Sequence, residues 1–285
     1  HGIMATVCII GAGDIGGAVA HALARSERVS RVLLIDADAK VAAGKALDIQ
    51  QSGAVDLFHV RLDGTDDVSR VAGSAACIVA DRFGRPSSEW QGEEGLAMIG
   101  RLASYAGDAP IVFAGASQAE LLGAAAREAH VARQRLAGSS PQALIAAIRA
   151  VVAIEARCSP SEVEVTVLGA PPNGFVVPWS EASIGGYSLE RVLTQVQLTR
   201  IEARAARLWP PGPFALGLAA ARVTEALIRN SRRAFSVLMV LGGEFGVRGR
   251  VGAVPVNLSP AGIAHTRVPT LNTRERVRLE TALGA

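Results

Sequence analysis

Gly11-Ala-Gly13-Asp-Ile-Gly16 follows the apolar run Ala5-Thr-Val-Cys-Ile-Ile10, and Val32-Leu-Leu-Ile-Asp36 completes the pattern twenty residues later. The spacing is that of a mononucleotide-binding βαβ unit. The run before Gly11 reads as a buried parallel strand. Gly11 permits a tight turn, Gly13 leaves room for backbone to meet a pyrophosphate, and Gly16 lets the next helix pack closely on the strand. The helix that begins at Asp14 and Ile15 aims its first N–H groups at the phosphates, where its dipole favours negative charge. Asp36, ending the second strand, is placed to accept hydrogen bonds from ribose hydroxyls and to repel a 2′-phosphate. These residues point to NAD rather than NADP. Two features are unusual for such a site. Asp14 adds a negative charge at the helix start unless it turns outward, and the fourth strand ends in Ala80-Asp-Arg82, which brings bulk and charge to the other end of the crevice.

The chain has 285 residues, 49% of them hydrophobic, enough for a large core and two subdomains. No apolar stretch has the length of a membrane span and no signal peptide precedes the first strand, so a cytoplasmic protein without membrane contact is expected. Twenty-nine basic and 26 acidic residues are interspersed for a net charge of +3, and aromatics make up 4%. That leaves neither a basic stripe nor a stacking platform for nucleic acid. Of the three cysteines, Cys8 and Cys77 lie in apolar strand runs as small buried thiols, and nothing beside Cys158 suggests a nucleophile or metal site. His21 and His130, in or at the end of helices, read as surface or packing residues, His59 has no partner at metal-ligand spacing, and no metal is expected.

Strand and helix signals alternate through the first half. The spacing predicts helices over Asp38–Gln51, Glu93–Ala106 and Gln118–His130, with buried strands at Ala75–Ala80 and Pro110–Ala114. Such alternation implies a parallel, doubly wound α/β sheet. Near Arg133 the character changes. A helix over Pro141–Arg157 leads to Glu162–Leu168, which alternates like a half-buried antiparallel strand. Helical patterns follow at Leu189–Leu208 and Ala215–Asn230, then strand runs at Phe235–Leu241 and Val251–Val256 and a last helix from about Asn272. The expected division is a Rossmann-type domain over residues 4–133 and an α+β domain over residues 134–285, with a cleft between them.

Taken together, Gly11–Gly16 with Asp36, Gly44-Lys-Ala-Leu-Asp48, Val167-Leu-Gly169, Val177-Pro-Trp-Ser180, Ile184-Gly-Gly186, Gly242-Gly-Glu-Phe-Gly246 and Val254-Pro-Val256 resemble the lactate/malate dehydrogenase family, in its order and near its spacing. The resemblance covers essentially the whole chain. It implies an NAD-dependent oxidoreductase that passes hydride to a 2-oxo acid. In that family a histidine supplies the proton, an aspartate orients the histidine, an arginine clamps the substrate carboxylate, a loop arginine polarises the carbonyl, and an asparagine positions substrate and cofactor. Ala80 falls beside the cofactor. The helix Val41–Ile49 resembles the family's interface helix and implies a homodimer, with Ala42, Ala43, Gly44 and Ala46 permitting close approach.

The catalytic positions of the family are replaced here. Leu168-Gly-Ala-Pro-Pro172 puts Pro171 at the proton donor, and Ala143-Leu-Ile-Ala-Ala147 puts Leu144 at the aspartate and Ala147 at the carboxylate-binding arginine. Ala116-Ser117 stands for the asparagine-proline pair, and the segment Gly84–Glu94 puts Gly92 at the loop arginine. Leucine beside a lost histidine relieves the cost of a buried, unpaired carboxylate. Asp81, Arg82, Arg85, Glu89, Asn173 and His265 are within reach of the cleft, but none forms an acid–orienter pair. Arg82 and Arg85 are the substrate-binding candidates. Two readings stand. One is a pseudoenzyme that binds NAD as a nucleotide sensor, scaffold or partner protein. The other is an active oxidoreductase with an altered substrate and replaced catalytic groups.

Overall fold

The apolar run ahead of Gly11 becomes β1 (Thr6–Ile10), whose side chains alternate between two cores. In the computed structural model, which describes residues 5–284, β1 pairs in parallel with both β2 (Arg31–Ile35) and β4 (Ala76–Val79). Beyond β2 lies β3 (Arg61–Thr65), and beyond β4 lie β7 (Ile111–Phe113) and β8 (Leu136–Gly138), all parallel. The parallel order is therefore β3-β2-β1-β4-β7-β8. Chain direction across the sheet reverses between β1 and β4, and in an open α/β sheet the crevice at the carboxyl ends of those strands is where ligands bind.

Helices cover both faces. Val7 and Ile9 pack into one core with α1 (Asp14–Ser26) and α2 (Ala39–Asp56), whereas Cys8 and Ile10 pack into the other with α3 (Gly92–Tyr105) and α4 (Ala119–Arg127). A short antiparallel hairpin, β5 (Asp81–Arg82) and β6 (Ser88–Glu89), leaves the end of β4 at the crevice. The helix α5 (Ser140–Ala156) then crosses to the second half.

There the pattern becomes antiparallel. After β9 (Val163–Glu164) come β10 (Leu168–Ala170), β11 (Gly174–Val176), β12 (Ser183–Ile184) and β13 (Tyr187–Ser188). The helices α6 (Leu189–Val192), α7 (Gln195–Ala205) and α8 (Pro213–Ile228) precede β14 (Ala234–Gly242), β15 (Arg248–Ser259), β16 (Gly262–Thr266) and α9 (Thr273–Leu283). Through β14, which pairs with β8, the main sheet runs on without a break into β15, β10 and β11. A third apolar core, with Leu144, Ile148 and Val152 of α5 against Val163, Val167 and Ile201, fills this half.

Two elements differ from the sequence pattern. The helix expected over 189–208 is two helices, because Thr194 and Gln197 form a capping box that restarts the chain at α7. The strand expected over 162–168 keeps only its first residues in β9, with Leu168 already in β10. No helix among the described residues is long and apolar enough to cross a membrane.

The buried thiols provide a test of the sheet. Cys8 and Cys77 face each other across β1 and β4, and burial pushes their pKa values up to about 12 and about 11. Thiols held neutral in this way react slowly. Thiol titration of the native protein is expected to count one group, Cys158, and all three after denaturation. Rapid modification of Cys8 and Cys77 under native conditions would mean that the centre of the sheet opens.

Candidate nucleotide site

The glycine loop has the conformation its spacing implies. Gly11 has φ of +114°, and a side chain there would strike the Asp81 carbonyl, so only glycine fits. A Cβ on Gly16 would meet the Gly11 carbonyl, which is the close helix–strand approach expected of the third glycine. Asp14 points outward as the first residue of α1 and accepts a hydrogen bond from the Ser87 hydroxyl at 3.2 Å. Ile15 is buried on the other side of the same turn. At the end of β2, Asp36 is only 7% exposed. Its Oδ2 accepts from the Ala12 and Phe83 amides at 2.7 and 3.0 Å and its Oδ1 from the Ala37 amide at 2.8 Å. A ribose would have to share or displace these donors.

Asp81 is the main departure from an open site. It is 2% exposed, and its carboxylate sits on the first turn of α1, accepting from Ile15 N at 3.0 Å and Gly16 N at 2.8 Å. Its main-chain carbonyl accepts from Gly13 N at 2.9 Å. A Cβ placed on Gly13 would lie 2.5 Å from that carboxyl group, so the space that Gly13 leaves open is filled by Asp81. Among the described residues no cation pairs with Asp81. The α1 amides and helix dipole supply its compensation instead.

Glu89, directly across the hairpin from Asp81, does the same at a second helix start. Its carboxylate accepts from Ala116 N at 2.9 Å and Ser117 N at 2.7 Å, just ahead of α4. Burial first, and the Asp81 charge after it, hold the Glu89 pKa above its ordinary 4.5, against the hydrogen bonds from Ser117 and Ala116. Gln118 braces this corner. It is 1% exposed, and it donates to the Ala80 carbonyl at 2.9 Å while accepting from Gly115 N at 2.8 Å. Nothing in the sequence marks Gln118 beyond a polar residue after a strand.

The substrate candidates do not converge. Arg82 turns to Glu94 and lies over the Trp90 ring at 4.8 Å, with its Nε buried and unpartnered. Arg85 is exposed between the hairpin strands. Asn173 is exposed between β10 and β11, and His265 is exposed on β16. Leu144 is fully buried in the third core, and Pro171 is buried at the end of β10. His21 pairs with Asp56, and His59 with Glu27. His59 and His130 lie ahead of β3 and beyond the end of α4, away from the carboxyl edge of the sheet. Among the described residues, no cluster that could hold a metal is present.

The comparisons agree with this architecture. Residues 5–86 match the family model described as the lactate/malate dehydrogenase NAD binding domain, so NAD is the dinucleotide of this domain. A malate dehydrogenase of Cytophaga hutchinsonii is 26% identical over 97% of this chain and 94% of its own length. One of Myxococcus xanthus is 27% identical over 95% and 92%. The malate dehydrogenase structure from Salinibacter ruber superposes with a TM-score of 0.87 at 22% identity, covering 98% of this chain and 94% of that one. The lactate dehydrogenase of Cryptosporidium parvum, solved with lactic acid and nicotinamide adenine dinucleotide, gives 0.88 at 21% identity, covering 99% and 95%. A Rossmann glycine loop, the β3-β2-β1-β4-β7-β8 order and relatives matched over nearly their whole length make the chain similar to lactate/malate dehydrogenases throughout.

Proposed function

We propose that the protein binds NAD(H) through residues 4–133 but does not reduce 2-oxo acids as its relatives are named for doing, its role being that of a nucleotide-responsive partner protein. One observation carries this reading: no described histidine lies at the crevice, and the position that the family resemblance assigns to the proton donor is Pro171. Residues 134–285 then form a substrate-side domain whose catalytic positions, Leu144 and Ala147, are apolar. A proline neither donates nor accepts the proton, and general acid–base catalysis typically contributes ~10²–10⁴-fold.

A second reading is favoured by the names of the relatives and by one residue. Glu89 is a half-buried carboxyl group at the carboxyl edge of the sheet with a raised pKa, so it is the crevice's own candidate for a proton donor in an oxidoreductase with another substrate.

We also propose a homodimer across α2. Ala42 and Ala46 pack on the protein's own core, whereas Ala43, Gly44 and Leu47 are exposed. Alongside them, Phe214 and Leu218 of α8 expose apolar surface at a groove shared with Lys45 and Ile49. Exposed apolar patches of this kind mark contact surfaces.

Melting curves and turnover assays test the two readings. NADH is expected to raise the melting temperature more than NADPH, because Asp36 repels a 2′-phosphate, and NADH oxidation with oxaloacetate or pyruvate is expected to be negligible. Robust turnover that disappears in Glu89→Gln would decide for the second reading.

The Glu89 carboxyl has a higher pKa folded than unfolded, so the folded state binds its proton more readily. Its contribution to stability is present at low pH and is lost as pH rises through the window above 4.5. The stability of the wild type relative to Glu89→Gln, measured by urea unfolding, should therefore grow between about pH 7 and about pH 5. A difference that shrinks on acidification would contradict the burial.

Light scattering should give a dimer mass for the wild type and a monomer mass for Ala43→Trp. A wild-type monomer at micromolar concentration would remove the interface.

A further inference from the structure

The first turn of an α-helix carries unpaired N–H groups that an anion satisfies, and in a glycine-loop βαβ unit that anion is the dinucleotide pyrophosphate. In this protein the two amides that face the crevice, on Ile15 and Gly16, already have an anion. It is attached to the chain, and Gly13, whose missing side chain makes the space, is in contact with it. At the end of β4, Ala80 is followed by Asp81. The Asp81 carboxylate takes the amide donors that a phosphate at this helix start would use.

The rest of the hairpin is fastened to the same crevice. Phe83 N donates to Asp36, the carboxylate expected to hold the ribose. Ser87 donates to Asp14, and Glu89 takes the amides of Ala116 and Ser117. With the hairpin docked, the pyrophosphate donors are taken and Asp36 is shared, so the dinucleotide does not fit this form of the protein.

We propose that the β5–β6 hairpin is an autoinhibitory plug in which the Asp81 carboxylate substitutes for the nucleotide pyrophosphate, making hairpin docking and NAD binding mutually exclusive. The proposal rests on the NAD reading of the domain. It makes nucleotide binding report on the hairpin: whatever draws the hairpin out raises NAD affinity, and NAD in turn holds the hairpin out. The affinity observed is the intrinsic affinity scaled by the fraction of molecules with the hairpin withdrawn. A plug that is out about 1% of the time weakens binding about 100-fold.

The test compares wild type, Asp81→Gly and Asp81→Asn by calorimetric titration with NADH and with inorganic pyrophosphate, alongside melting curves without ligand. Glycine removes the plug. Asparagine keeps nearly its shape but turns an N–H₂ toward an amide donor and removes the charge, which keeps the test available if the glycine variant folds poorly. NADH is expected to bind Asp81→Gly at least roughly tenfold more tightly than wild type, with Asp81→Asn between them. Inorganic pyrophosphate is expected to compete with NADH in Asp81→Gly at concentrations that leave the wild type unaffected. Both variants should melt below the wild type without ligand, since two α1 amides lose their charged partner. Equal NADH affinity in all three proteins would overturn the plug while leaving NAD binding in place. Failure of all three folded proteins to bind NADH would overturn the plug and the NAD reading together.

Discussion

The structure turns on one electrostatic requirement, that the amino end of α1 be met by negative charge. The turn from β1 through Gly11 and Gly13 aims the amides of Ile15 and Gly16 over the carboxyl edge of the sheet, where they have no helical partner. Asp81 meets them and is itself kept out of solvent without a counter-cation among the described residues. Neither side of this contact is comfortable alone. A buried carboxylate without hydrogen bonds is costly, and so is a buried helix start without an acceptor. The contact therefore fixes where β4 ends and how the hairpin leaves it.

The same requirement explains the hairpin's pairing. Asp81 and Glu89 are directly opposite in the β5–β6 register, an arrangement that ordinarily destabilises a strand pair. It persists because each carboxylate has its own set of main-chain donors, Asp81 at α1 and Glu89 at the loop leading into α4. Gln118 ties the two corners by bonding both the Ala80 carbonyl and the Gly115 amide. The rise in the Glu89 pKa follows from this geometry: burial and the like charge across the hairpin outweigh two hydrogen bonds.

Much of this was legible from residues close together in the chain. The three glycines, the apolar runs and Asp36 announced the βαβ unit, because turn sterics and strand burial act over a few residues. The capping pattern Thr194-x-x-Gln197 is equally local, but the long helical periodicity over 189–208 masks it in the sequence. Asp81 and Glu89 could be named as charges near the cleft but not given partners. Their donors lie 65 and 66 positions earlier for Asp81 and 27 and 28 positions later for Glu89, and no periodicity encodes such pairings. Arg82 illustrates the opposite error. A guanidinium near a cleft suggests a carboxylate clamp, but Trp90 and Glu94 offer it nearer company.

The proposed loss of the family's catalytic set and the docked hairpin are physically consistent with each other. Leu144 contributes to a continuous apolar core with Ile148, Val152 and Val167, an environment in which an orienting carboxylate would stand unpaired once the histidine is gone. On the proposed reading, a crevice relieved of proton transfer no longer has to expose its helix ends to solvent and substrate. It can satisfy them internally, as Asp81 and Glu89 do. What remains adjustable is the hairpin, which beyond the buried Asp81 contact is held by hydrogen bonds and the Arg82–Glu94 ion pair, with Phe83 left 48% exposed. Attachments of that kind can be released without disturbing the sheet beneath, which is the property a nucleotide-responsive element requires.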